Sequence, residues 1–147
     1  MPEAGLREAY AVLLDATPRS SPPPPGEWDT GQILAHVSLV TAATIGAVSS
    51  VAAGAVSTYD NRLAQDPWTL ARVARLAGGV DGLRARIRTQ AEALCLLAGA
   101  LSEAELAVPL PSLLTSNGEC LVDGPLTVRD ILAGLAANEL PGHTAQL

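Results

Sequence analysis

The run GEWDTGQILAHVSLVTAATIGAVSSVAAGAVS, residues 26–57, decides how the rest of the chain is read. No residue between Asp29 and Asp60 carries a fixed charge, and apolar residues recur at helical spacing. One long helix is expected, starting at Asp29 and running to about Ser57. Asp29 followed three residues later by Gln32 has the form of a capping box, and Trp28, just before the cap, is placed to staple onto Ile33. The run is long enough to cross a bilayer. It also holds His36, Thr41, Thr44, Ser49, Ser50, Ser57 and several Gly, with little Leu or Ile. Such residues drive insertion poorly, so the expectation is a buried helix lined with small side chains and no membrane partner.

Outward from this helix, residues 3–16 read as a first helix with Leu6, Tyr10, Leu13 and Leu14 on one face, ended by Thr17-Pro18. Residues 20–26, with four consecutive prolines, read as a stiff extended connection. Asp66-Pro67-Trp68 opens a third helical stretch, with Pro in the first turn. Gly78-Gly79 interrupts it, and a longer helix runs from about Asp81 to Leu101 with Leu83, Ile87, Ala91, Leu94 and Ala98 as its apolar stripe. The period then changes. Between Leu106 and Val122, short apolar runs flank Asn117-Gly118 and predict a short β-hairpin. Thr127 and Asp130 form an acidic variant of a capping box and start a last helix through Ile131, Leu132 and Leu135. The pattern predicts a single domain over residues 1–147. Its fold class is all-α, a four-helix up-down bundle with a short hairpin before the last helix.

Composition supports one core. The 147 residues suit one domain, and 48% are apolar, with two Trp, two Tyr and no Phe. Ala, Leu and Val dominate, which favours closely packed helices. All nine basic residues are Arg, against fifteen acidic ones. A net charge of −6 opposes a nucleic-acid partner, which needs a dense basic face. Arg72/Arg75 and Arg84/Arg86/Arg88 read as solvated helix faces. Cys95 and Cys120, 25 residues apart without metal or disulfide spacing, fit a reduced, cytoplasmic setting.

The chain has two histidines, and their placement is informative. His36 shares a helix side with Ile33 and Val40, so its imidazole should face the bundle. His143 follows Glu139 by four residues, which on an unbroken helix puts both on one face. Two imidazoles and a carboxylate suit zinc, nickel, iron or manganese, and leave a coordination position free. A hydrogen-bonded core histidine and a chance Glu-x-x-x-His pair account for the same spacing.

These motifs together resemble the DinB-like family of metal-binding four-helix bundles, which includes mycothiol-dependent maleylpyruvate isomerases and related thiol S-transferases. The likeness lies in Gly26-Glu27-Trp28 leading to Ala35-His36-Val37, in the hairpin ending at Val122-Asp123-Gly124-Pro125 before Thr127-Val128, and in Glu139-Leu140-Pro141-Gly142-His143 followed by Gln146-Leu147. Glu at the first position of the last motif resembles the maleylpyruvate isomerase branch. The resemblance implies a divalent ion, zinc or nickel foremost, on His36, Glu139 and His143. It also implies a low-molecular-weight thiol that attacks an electrophilic small-molecule substrate, and a possible homodimer. Arg62 can pair with a thiol carboxylate, or with Asp60 or Asp66 as an ordinary surface arginine. Pro141 departs from the pattern, because it removes a backbone donor and its ring clashes with the carbonyl of Ala137. Either the helix kinks between the ligands or it ends near Glu139, leaving His143 on an irregular tail. Asn138 is a substitute ligand or supporting partner. A rival reading is a non-catalytic helical module, metal-stabilised or metal-free, whose second helix pairs with a copy of itself; Ala42, Gly46, Ser49/Ser50 and Ala53 permit close helix approach, within the monomer or across a dimer.

Overall fold

The computed structural model describes residues 2–147. Helix α1, Pro2–Asp15, buries Leu6, Tyr10 and Leu13. Helix α2, Thr30–Ala52, begins at the expected capping box: Asp29 Oδ1 accepts from Gln32 N–H at 2.8 Å, and Gln32 Oε1 accepts from Asp29 N–H at 2.9 Å. It stops short of Ser57 because Gly54 takes a left-handed φ of 81°, a conformation that closes a helix and that glycine adopts without strain. By length and composition α2 can cross a bilayer, but 61% of its apolar window is buried within the fold.

Beyond α2 lie strand β1, Tyr59–Asp60, a 3-10 turn at Leu63–Gln65, and helix α3, Pro67–Ala77. Asp66 caps α3 by accepting from Thr69 N–H at 2.9 Å. Gly78 and Gly79, with φ of 87° and 89°, turn the chain directly into α4, Val80–Ala100. A one-turn helix α5, Glu103–Leu106, follows under its own capping box of Ser102 and Glu105. Strands β2, Pro109–Ser116, and β3, Glu119–Thr127, pair antiparallel around Asn117 (φ 51°) and Gly118 (φ 78°), the two positive φ values of a type I′ turn. The C-terminal helical region comprises α6, Val128–Gly134, a π-turn at Leu135–Glu139, and α7, Leu140–Gln146.

The expectation of an all-α four-helix bundle is corrected by the sheet. The long helices share one core, yet β1 adds to β2 in parallel, Tyr59 beside Ser112 and Asp60 beside Leu113, giving a mixed three-stranded sheet in the order β1-β2-β3. Helices α3 and α5 lie outside a four-helix count as well. A two-residue strand that pairs across some fifty residues of chain has no local alternation to announce it. The hairpin is also longer than the Leu106–Val122 span, since β3 continues to Thr127 before α6 begins.

Leu6 and Leu13 of α1, Leu34 of α2, Leu83, Ile87 and Leu94 of α4, and Leu132 and Leu140 of the C-terminal helical region are all fully buried, joined by Leu70 of α3 and Leu110 of β2. The sharp α3–α4 turn brings backbone against backbone. A Cβ on Gly82 would lie 1.6 Å from the Ala77 carbonyl oxygen and 2.6 Å from its carbon. Gly82→Ala would raise helix propensity by about 1 kcal/mol. The overlap should outweigh that, for a net destabilisation of about 2 kcal/mol. The expected result is a lower urea midpoint at unchanged slope; a higher midpoint would mean that the turn relaxes freely.

Candidate metal centre

His36, Glu139 and His143 come together, each offering one ligand atom within 4.8 Å of the others. Helix α2 carries His36 inward, 3% exposed, at the end nearest the Asp29 cap. Glu139 closes the π-turn and His143 lies one turn on, within α7. The helical path therefore neither ends at Glu139 nor releases His143 as an irregular tail. Pro141 sits in the first turn of α7, and the preceding Leu140 N–H bonds to Leu135 O, five residues back. That wider loop accommodates a residue without a donor where an α-helix would not.

Hydrogen bonds orient both rings. His36 Nδ1 lies 2.6 Å from the carbonyl oxygen of Ala64, which only accepts, so Nδ1 carries the hydrogen. His143 Nδ1 lies 2.7 Å from Gln146 Oε1 and donates in the same way. Both Nε2 atoms are thereby aimed at one carboxylate oxygen, Glu139 Oε1, each at 2.9 Å. With both rings neutral, three lone pairs would face one another. Such a set needs protons on the rings or a cation among the three atoms. Two imidazoles with outward-bonded Nδ1 and one carboxylate are also the donor set of a divalent metal, complete with the supporting bonds that orient its ligands. The residues fit a metal ion.

The electrostatics follow from these contacts. Hydrogen bonds from His143 and then His36 hold the Glu139 carboxyl far below the usual carboxylate range, against the opposing effect of burial. Burial pulls the His143 imidazolium down, but the bonds to Glu139 and Gln146 outweigh it and the net shift is upward.

The surroundings make one wall apolar. The indole of Trp28 lies 4.9 Å from the His36 ring and 6.3 Å from the His143 ring, and the two imidazoles are 4.6 Å apart at 66°. Trp28, expected as a staple on Ile33 and as part of the motif leading to His36, thus lies beside both candidate ligands. Its place just before the Asp29 cap, two turns from His36, was the available signal. Ala64 was also missed, because a backbone acceptor leaves no mark in sequence. It belongs to the 3-10 turn, which is tied to β2 through Asn61: its Oδ1 accepts from Thr115 N–H at 2.8 Å and its Nδ2 donates to Thr115 O at 3.0 Å. Tyr59 is buried nearby and donates to Thr44 Oγ1 at 2.8 Å, since the threonine hydrogen is committed to Val40 O. Burial raises the Tyr59 phenol first, and the Glu139 charge adds to that.

Arg62 stands apart from the cluster. Its guanidinium is bidentate to Asp60, with Nη2 to Oδ2 at 2.7 Å, on the protein surface. Asn138, next to Glu139 in the π-turn, is exposed. Comparison with protein-family models, curated proteins and solved structures yields no match to this chain.

Proposed function

We propose that the chain is a divalent-metal enzyme of the DinB-like kind, joining a low-molecular-weight thiol to an electrophilic small molecule or using the thiol to isomerise it. The metal part of this reading is supported by one observation, the aiming of two imidazole Nε2 atoms at a single carboxylate oxygen while both Nδ1 atoms donate outward; the thiol and the electrophile come from the family resemblance of the motifs. The donor set favours zinc or nickel. Such an ion, with three protein ligands and an open position, supplies Lewis acidity that lowers the pKa of a thiol held there. His36 and His143 stay oriented through Ala64 O and Gln146 Oε1. Glu139 provides the one negative charge, and Trp28 keeps water from one side. Arg62, two residues before Ala64, would receive a thiol carboxylate only by leaving Asp60. There is no Lys, and no third His, to act as a general base. A net charge of −6 and two free cysteines, one buried and one exposed, suit a small-molecule substrate rather than nucleic acid and a reduced, cytoplasmic setting.

A test combines zinc-loaded protein, a thiol such as cysteine or glutathione, and a chloronitrobenzene. Thiolate displaces chloride, forming C–S and breaking C–Cl, and absorbance follows the product. The expected result is turnover that requires protein, metal and thiol together and disappears in Glu139→Gln. A rate equal to that without protein, across several thiols and electrophiles, would favour the second reading, a non-catalytic module that pairs with a copy of itself. That reading draws on the outward face of α2, where Ala42, Gly46, Ser49 and Ala53 are all exposed. It requires a dimer in solution that Gly46→Glu disperses.

A further inference from the structure

The C-terminal helical region holds one residue more than α-helical spacing allows between its buried positions. Val128, Ile131, Leu132 and Leu135 are buried at steps of three and four, as a helix on a core should be. The next buried residue is Leu140, five positions after Leu135. The same interval is bridged by the bond from Leu140 N–H to Leu135 O. In an uninterrupted α-helix the inward position would fall to Glu139, seven residues after Leu132. Leu140 would then rotate outward by about 100°. The π-turn reverses that choice. Leu140 enters the core at 0% exposure, while Glu139 and His143 swing to its rim, where His36 Nε2 meets the carboxylate at 2.9 Å.

We propose that the π-turn at Leu135–Glu139 is a one-residue register shift that creates the ligand group, with Ala137 and its neighbours acting as positioning residues. The proposal rests on the metal reading for its significance but concerns the register of the helix. Glu139 and His143 always share a face, being four apart; the extra residue determines that this face meets His36. Pro141 is tolerated for the same reason, since the wide turn asks for no donor at that position and relieves the clash of its ring with Ala137. Ala137 is exposed, so its side chain contributes nothing that its removal would take away.

The test uses length variants in a Pro141→Ala background, so that a straightened helix is not broken by proline. Deleting Ala137 removes the extra residue and should give a continuous α-helix with Leu140, Glu139 and His143 where they are now. Inserting an alanine after Ala137 should turn the ligand face by about 100° away from His36. Cobalt(II) serves as the metal, because its visible spectrum reports ligand set and geometry. The deletion variant should bind cobalt(II) with the spectrum of the undeleted protein and an affinity within about threefold. The insertion variant should lose the spectrum and bind at least about 100-fold more weakly, beyond the range typical of supporting residues. A folded deletion variant without the spectrum, or an insertion variant that keeps it, overturns the proposal. If even the native protein takes up no cobalt(II), the metal reading has failed and the register claim is decided by thermal unfolding. The deletion should then leave the midpoint within a few degrees of Pro141→Ala alone while the insertion lowers it. Equal losses in the two variants would refute the shift.

Discussion

Glu139→Gln is expected to weaken divalent-metal binding by at least about 100-fold while leaving the metal-free fold standing. Changes that only disturb the support of a ligand typically lower metal affinity 10- to 100-fold, and Glu139 would be a ligand itself. Its Oε1 is the meeting point of both Nε2 atoms at 2.9 Å, and it supplies the only formal negative charge among the three residues. An amide of the same size keeps one acceptor oxygen but removes the charge and introduces two hydrogens. Without metal, the same replacement weakens two charge-assisted hydrogen bonds at the rim of the core, worth about 1.5–3 kcal/mol each to a charged group. Glutamine retains some bonding, so the metal-free protein should remain folded with a lowered midpoint. Calorimetric titration with zinc or nickel, beside a thermal melt of the metal-free variant, separates the two effects. An affinity within tenfold of the native value would show that the carboxylate is not a ligand.

The second large effect is a stabilisation by metal that grows with pH, opposite to the trend of the metal-free protein. A ligand at about 1,000 times its dissociation constant adds about 4 kcal/mol to stability. At about 2–4 °C per kcal/mol for a domain of this size, the midpoint should rise by about 8–16 °C. Protons compete for the same lone pairs. His143 has its pKa raised above the ordinary 6.5, so in the metal-free protein its contribution is complete below about pH 6.5 and is lost as pH rises through the raised value. Glu139, whose pKa is depressed from 4.5, contributes above about pH 4.5 and loses that contribution as pH falls through its folded value. The metal-free cluster therefore supports the fold best between about pH 4.5 and 6.5. Metal requires a neutral His143, so its stabilisation increases from pH 6 to 8, where the metal-free contribution fades. Thermal melts at pH 6, 7 and 8 with and without zinc should diverge. Parallel curves would mean that zinc binds elsewhere or not at all.

The elements that could be read in advance were those with local causes. The capping boxes at Asp29/Gln32 and Thr127/Asp130, the Asn117-Gly118 turn and the Gly78-Gly79 break all carry their geometry in adjacent residues, and each lies where its sequence places it. What escaped was non-local or lacked a side-chain signature. Strand β1 exists because of a partner some fifty residues away, and the Ala64 carbonyl is indistinguishable from any other in a sequence. The grouping of His36, Glu139 and His143 was legible from spacing and inward placement. Its mechanism was not: Pro141 read as a reason for the helix to kink or stop, whereas a π-turn carries the helix through it. The clue was the interval between Leu135 and Leu140, too long by one for an α-helix, with a proline just beyond.

The most direct measurement is the metal content of untagged protein by elemental analysis, beside a His36→Ala/His143→Ala variant prepared identically. The expected result is close to one zinc or nickel per chain in the native protein and a loss of nearly all of it in the variant. Native protein that carries no metal, and whose melting temperature does not move on adding zinc, nickel or manganese, would contradict it. The three residues would then be an imidazolium–carboxylate cluster at the edge of a helical core.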